Sequence, residues 1–112
     1  MPDASLTKRL FELQELELII AESRILHRGE EIGRIRDLCE KARQIREGVP
    51  AEHLRRYDQL LRKGQAVARL EAGVCMACRL NVPQGELIRM RKGEVPQVCP
   101  NCGRFVVFED AS

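Results

Sequence analysis

Apolar residues recur every seven positions through the first half of this chain. The clearest series consists of Phe11, Leu18, Ile25, Ile32 and Cys39. Heptad spacing is typical of a helix that packs along one seam. Gly48 and Pro50 interrupt the pattern, and a second series resumes it at Leu54, Leu61 and Ala68. We therefore predict an antiparallel coiled-coil helical hairpin over residues 5–72, with its turn near residues 48–50.

The two arms of this predicted hairpin differ in length. Residues 51–72 can pair only with about residues 26–47, so residues 6–25 overhang. Apolar side chains occupy two faces of the overhang: Leu6, Leu10, Phe11, Leu13, Leu16, Leu18, Ile20 and Ile25. A helix that is apolar on two faces is expected to be covered on both. These residues predict a homodimer contact or a docking site for a protein partner. The alternative is that the chain breaks at Gly29 or Gly33 and folds back as a third helix.

Beyond residue 73 the long periodicity gives way to short segments separated by turn residues. Residues 87–91 alternate like a β-strand, and residues 105–108 form a second candidate strand. A module of about 40 residues buries too little surface to be stable without a bound metal ion or disulfide bonds. The predicted fold class is α+β, with a helical domain over residues 5–72 and a small β domain over residues 73–112.

Four cysteines are the candidates for this additional stabilisation of the β domain. Cys75 and Cys78 form one CxxC pair, Cys99 and Cys102 form another, and twenty residues separate the pairs. This spacing is typical of one structural zinc ion in a zinc ribbon. Iron is the alternative metal, although this segment offers only two phenylalanines as an aromatic core. A redox or disulfide role is a further alternative, but redox CxxC motifs usually accompany a βαβ pattern, which is missing here.

The charge pattern leaves two classes of function open. The net charge is +2, with two basic and five acidic residues up to position 23 and seven basic and four acidic residues over 24–46. Candidate phosphate contacts on the β domain are Arg79, Arg89, Arg91, Lys92 and Arg104. One function is nucleic-acid binding, with RNA favoured over DNA. The other is a protein adaptor, a chaperone or an RNA-polymerase-associated factor that acts through the coiled coil.

Several other functions and locations are not expected from this sequence. There is no signal-peptide pattern and no apolar run long enough to span a bilayer, so we expect a cytoplasmic protein without a membrane partner. No nucleophile–base pair or phosphate-binding glycine loop stands out, and four protein ligands leave a zinc ion no open position. The chain is therefore expected to have no enzymatic activity and no small-molecule substrate.

Further residues around the cysteines carry a family resemblance. They are Leu80, Val82, Pro83 and Gln84, then Glu86, Leu87, Ile88 and Arg89, then Lys92 and Gly93, and finally Pro100, Gly103 and Arg104. With the cysteines, this pattern resembles the bacterial four-cysteine zinc-ribbon family, whose members carry an N-terminal coiled-coil hairpin. The resemblance is detailed over residues 73–108 and only architectural over residues 5–72, where known members have a longer coiled coil. It implies a non-enzymatic, nucleic-acid-binding protein; some members are linked to flagellar or type III secretion systems as RNA-binding or chaperone-like factors.

Overall fold

A computed structural model describes residues 2–26 and 32–108 of the chain. Three helices come first: α1 (Ala4–Leu26), α2 (Ile32–Glu47) and α3 (Ala51–Leu61). They are followed by the strands β1 (Val67–Glu71), β2 (Val74–Cys75) and β3 (Phe105–Phe108), with the helix α4 (Gln84–Arg91) between β2 and β3. The predicted α+β class is confirmed.

The main helix pair is α1 with α2, and not α2 with α3. Leu10, Leu13 and Ile20 of α1 are buried in one core with Ala42 of α2 and Tyr57 of α3. The expectation that residues 6–25 overhang is therefore wrong, and α1 folds back on α2 instead. The physical reason is that α3 has only 11 residues and covers too little of α2, whereas α1 offers the longest apolar surface. Of the two glycines proposed for the break, Gly29 lies outside the described residues.

The predicted turn near residues 48–50 is present. Helix α2 ends at Glu47, and Pro50 occupies the N-cap of α3. The N–H of Gly48 donates to the carbonyl oxygen of Ile45 at 3.1 Å, and the side chain of Val49 is buried. A glycine after one helix and a proline before the next therefore mark both helix ends correctly.

The second predicted helix is too long, because α3 ends at Leu61 and residues 67–71 form β1. Gly64, with a φ of +128°, lies in the loop between them. Ala68 fits the heptad series, but it is buried as part of a strand in which Arg69 is exposed and Leu70 is buried. Four of the five residues of β1 are good helix formers, the exception being Val67, so tertiary pairing overrides local preference here. The domain boundary predicted at residue 73 leaves β1 with the helices, whereas β1 pairs with both other strands.

The sheet has the order β2-β1-β3 and separates two cores. Strand β1 is antiparallel to β2 and parallel to β3, with Val67 opposite Phe105. Val67 and Phe105 pack in the helical core, while Ala68 and Val106 pack in a second core with the cysteines. Neighbouring residues of a strand point to opposite faces, so one thin sheet supports both the helices and the cysteine cluster.

The strand predicted over residues 87–91 is the helix α4, whereas the strand predicted over residues 105–108 is confirmed as β3. Pro83 precedes the first turn of α4, and Leu87 and Met90, three residues apart, pack in the core that contains the cysteines. A five-residue window that alternates apolar and basic residues fits either period, so the sequence pattern was ambiguous at this length.

The β1–β2 turn contains a residue in an unfavourable backbone conformation. Ala72 and Gly73 have φ values of 52° and 79°, and Glu71 pairs with Val74 across them. Two central residues with positive φ define a type I′ turn, which favours asparagine and glycine. Alanine in this conformation costs about 1 kcal/mol.

We therefore expect Ala72→Asn to raise the free energy of unfolding by about 1 kcal/mol, measured by urea denaturation. The matched control is Ala21→Asn on the exposed side of α1, which should lower stability because asparagine is the poorer helix former. A loss of stability in Ala72→Asn would contradict this account of the turn.

Candidate metal centre

The four cysteine sulfurs lie at the spacing of a tetrahedral metal site. The Sγ atoms of Cys75 and Cys102 are 3.8 Å apart, as are those of Cys78 and Cys99. All four atoms lie within 4.8 Å of one another. Zinc–sulfur bonds of about 2.3 Å in a regular tetrahedron place the sulfurs about 3.8 Å apart. The donor set therefore fits one zinc ion, and these four residues would hold it.

The two CxxC pairs adopt matching backbone turns. The N–H of Arg79 donates to the carbonyl of Cys75 at 2.8 Å, and the N–H of Gly103 donates to the carbonyl of Cys99 at 2.9 Å. Arg79 and Gly103 each follow the second cysteine of a pair and have φ values of 65° and 77°. Glycine adopts a positive φ without steric strain, whereas the side chain of Arg79 makes the same conformation less favourable. The two turns present their sulfurs to a common centre.

The protonation of the thiols reflects the balance between burial and hydrogen bonding. Burial raises the pKa of Cys75, and it raises the pKa of Cys99 to about 12. Burial alone would also raise the pKa of Cys102. Hydrogen bonds from the backbone and side chain of Arg104 outweigh this effect and lower the pKa of Cys102 to about 7. Donors directed at the sulfurs stabilise the thiolates that a metal needs. Zinc binding must displace protons from Cys75 and Cys99, so the affinity falls at acidic pH.

The fold and the four-sulfur cluster define a zinc-ribbon domain joined to a bundle of helices. Residues 74–106 match the family model of the C4-type zinc ribbon domain, so the resemblance found in the sequence is confirmed for this part of the chain. The structure of CT398 from Chlamydia trachomatis is similar, with a TM-score of 0.56 and 24% sequence identity. The similarity covers 71% of this chain and 36% of CT398, and at this identity it shows a shared fold alone. No curated protein matches the chain.

The five basic residues predicted to contact phosphate are not equivalent. Arg79 and Lys92 are exposed, and Arg89 is exposed with its Nη1 atom 3.6 Å from a carboxylate oxygen of Glu86. The guanidinium of Arg91 lies 4.0 Å from the ring centre of Phe108. The side chain of Arg104 donates from Nε to the carbonyl oxygen of Gln65 at 2.7 Å and also interacts with the Cys102 sulfur. Arg104 therefore stabilises the second cysteine turn.

A cationic face on α3 was not among the residues selected from the sequence. Four exposed residues form it: Arg55 and Arg56 lie on α3, Arg62 is the C-cap of α3, and Lys63 lies in the turn that follows. Tyr57 and Leu60 are buried on the opposite side. Within the part of the chain that the structure describes, none of the four cations makes an ion pair. The sequence signal for this face is two pairs of cations seven residues apart, at residues 55–56 and 62–63.

This cationic face of α3 adjoins the second cysteine turn. The Nη2 atom of Arg56 lies 3.5 Å from the carbonyl oxygen of Gly103. The loop after α3 also holds Arg104 through Gln65. Positive charge from the helix and from the ribbon therefore meets at one place, even though the two segments are far apart in the sequence.

Most of the predicted partner residues of α1 are covered within the chain. Leu10 and Leu13 are 0% exposed, and Ile20 is buried. Leu6, Phe11 and Leu16 are partly buried, and the side chain of Ile25 lies outside the described residues. Leu18 is 56% exposed, and its neighbour Ile19, which was not in the predicted set, is 43% exposed. Leu18 and Ile19 stay exposed because α2 and the sheet cover two other sides of α1. Among the described residues, no helix has the length and hydropathy needed to cross a membrane.

Proposed function

We propose that this zinc-ribbon protein binds nucleic acid through the cationic face of α3, with single-stranded RNA as the favoured ligand. The observation that carries the proposal is the set of four exposed cations without ion pairs along α3 and at its C-terminal end. The spacing of seven residues between Arg55 and the C-cap residue Arg62 corresponds to about 10.5 Å along the helix. Cations in such a row can contact phosphate groups along one strand.

The helix that carries these cations is firmly anchored. The hydroxyl of Tyr57 donates to a carboxylate oxygen of Glu17 at 2.6 Å, and burial together with Glu17 raises the pKa of this phenol, which keeps its proton. Arg46 bridges Glu17 at 2.9 Å and Asp58 at 2.8 Å. These contacts join α1, α2 and α3. A row of cations on a fixed helix loses less conformational freedom when it binds a ligand than a row on a loop.

The local charge also favours α3 over α4 as the site that contacts nucleic acid. Residues 51–66 contain four basic and two acidic residues, and one of those acids, Asp58, is already paired with Arg46. On α4, the exposed Arg89 is partly neutralised by Glu86. Aromatic residues make up 4% of the chain, so few rings are available for base stacking. We therefore expect contacts to the phosphate backbone with little sequence preference.

The expected result is that Arg55→Gln/Arg62→Gln weakens binding to a fluorescein-labelled single-stranded RNA at least about tenfold at about 50 mM salt. The salt dependence of log K should also become shallower by about 1.4, since each lost phosphate contact removes about 0.7. Fluorescence anisotropy at several salt concentrations measures both quantities.

The matched control for the RNA measurement is Arg89→Gln/Lys92→Gln on the ribbon, which removes the same charge and should change binding little. Absence of binding to RNA at about 50 mM salt would overturn the proposal. A larger loss in the ribbon variant than in the α3 variant would move the site to α4.

A second candidate function is that of a protein adaptor, and exposed apolar residues on the ribbon favour it. Leu80 and Ile88 are 54% and 45% exposed. Ile88 also borders an open groove of about 490 Å³ beside the β1–β2 turn. Exposed apolar groups next to an arginine such as Arg91 are typical of protein interfaces. This function predicts that Leu80→Ser/Ile88→Ser abolishes capture of a protein partner that Arg55→Gln/Arg62→Gln still captures.

A further inference from the structure

The solvent side of α1 combines carboxylates with exposed apolar residues. It consists of Glu12, Glu15, Leu18, Ile19 and Glu22, all of which are exposed. We call this the acidic face of α1. Leu18 and Ile19 are the exposed large apolar residues of the described helical part of the chain. An apolar centre with charged residues around it is the usual composition of a protein contact surface.

The cationic face of α3 matches this acidic face in charge and in spacing. Glu15 and Glu22 are seven residues apart, as are Arg55 and Arg62. Two helices that lie side by side can therefore bring both pairs of opposite charges together, each about 10.5 Å from the next. Opposite charges on facing helices set which surfaces pair and in what register.

The two faces belong to helices that share one core, so they cannot meet within one chain. Leu10 and Leu13 of α1 and Tyr57 of α3 are fully buried in that core, and Tyr57 bonds directly to Glu17 of α1. The acidic face of α1 and the cationic face of α3 both point away from this contact. The acidic face can therefore reach a cationic face only on another molecule.

We propose that the acidic face of α1 docks a second copy of this chain through the cationic face of α3. Docking covers Leu18 and Ile19 and neutralises the cations of α3. The surface is small, because each helix contributes about two turns, so the association is weak and depends on charge. Salt at a few hundred millimolar screens such contacts and returns the protein to the monomer.

This association uses the same cations as the proposed binding of nucleic acid, but it stands on separate observations. Self-association is measured without any nucleic acid, so its failure does not bear on RNA binding. Conversely, Glu15→Lys/Glu22→Lys leaves the α3 cations in place, and this variant should retain RNA binding even though it no longer self-associates.

A charge-swap series measured by sedimentation velocity tests the proposal. Wild type at about 5 to about 500 µM and about 50 mM salt should shift from monomer to dimer or larger species, and about 300 mM salt should reverse the shift. Glu15→Lys/Glu22→Lys and Arg55→Glu/Arg62→Glu should each remain monomeric. A mixture of these two variants should associate again, because each then offers the other an opposite charge on both faces. The four substitutions combined in one chain should also restore self-association.

The two possible failures of this series have distinct meanings. Wild type that stays monomeric at about 500 µM and about 50 mM salt would overturn the proposal. Self-association that persists in both charge-reversed variants would also overturn it, because the contact would then lie elsewhere. Far-UV circular dichroism and the zinc content of each variant show whether it is folded.

Discussion

Cys99→Ser is expected to unfold the helices as well as the zinc ribbon. Structural zinc supplies on the order of 10–16 kcal/mol in finger-sized domains, and a lost thiolate removes most of it. Phe105 and Val67 lie on the two strands next to the metal site, yet both are buried in the core of the helices. If the ribbon unfolds, the helical core therefore loses the strand residues that cover one of its sides.

The measurement is a thermal melt followed by far-UV circular dichroism, with and without a metal chelator. Wild type with chelator and Cys99→Ser should both lose most of their helical signal at a temperature where the zinc-bound protein is folded. The matched control is Cys39→Ser, because Cys39 lies on α2 outside the four-sulfur cluster. An unchanged melting temperature in Cys99→Ser would show that the metal is not needed for the fold.

Gln14→Leu is expected to lower the free energy of unfolding by about 3 kcal/mol. The Oε1 atom of Gln14 accepts hydrogen bonds from the N–H groups of Ala66 and Val67 at 2.7 and 2.9 Å. Its Nε2 atom donates to the carbonyl oxygen of Val67 at 2.9 Å. Leucine has a similar size but leaves three polar groups of the backbone at the buried start of β1 without partners. Each such group costs about 1–3 kcal/mol, reduced where water can reach it.

Urea denaturation of the zinc-bound protein measures this loss. The control is Gln44→Leu on the exposed side of α2, which should change stability by no more than about 0.5 kcal/mol. A loss below about 1 kcal/mol in Gln14→Leu would mean that water replaces the glutamine. These hydrogen bonds attach α1 to the sheet.

A second glutamine attaches the start of α1 to the ribbon. The Nε2 atom of Gln97 donates to the hydroxyl oxygen of Thr7 at 3.1 Å and to the carbonyl oxygen of Val106 at 2.8 Å, and both side chains are buried. Thr7 and Gln97 are ninety residues apart in the sequence, and neither belongs to a local pattern. The polar joints between helices and ribbon could not be predicted, because their partners meet only after the chain has folded.

The sequence alone determined the features that depend on neighbouring residues. The two CxxC pairs predicted the four-sulfur cluster, since a turn of four residues is enough to place two sulfurs. Gly48 and Pro50 predicted the ends of α2 and α3, because each acts through its own backbone. The strand of Phe105 to Phe108 was likewise visible in its composition.

Only the tertiary structure decided which segments cover one another. Residues 67–71 prefer a helix locally. They form the central strand because they pair with both neighbouring strands there and contribute side chains to both cores. Helix α1 folds back on α2 because α3 is too short to cover α2 and α1 offers the longest apolar surface. The cationic face of α3 came to lie beside the second cysteine turn by the same packing. Pairing between distant segments contributes more free energy than the local preference of a few residues, and a linear pattern records only the latter.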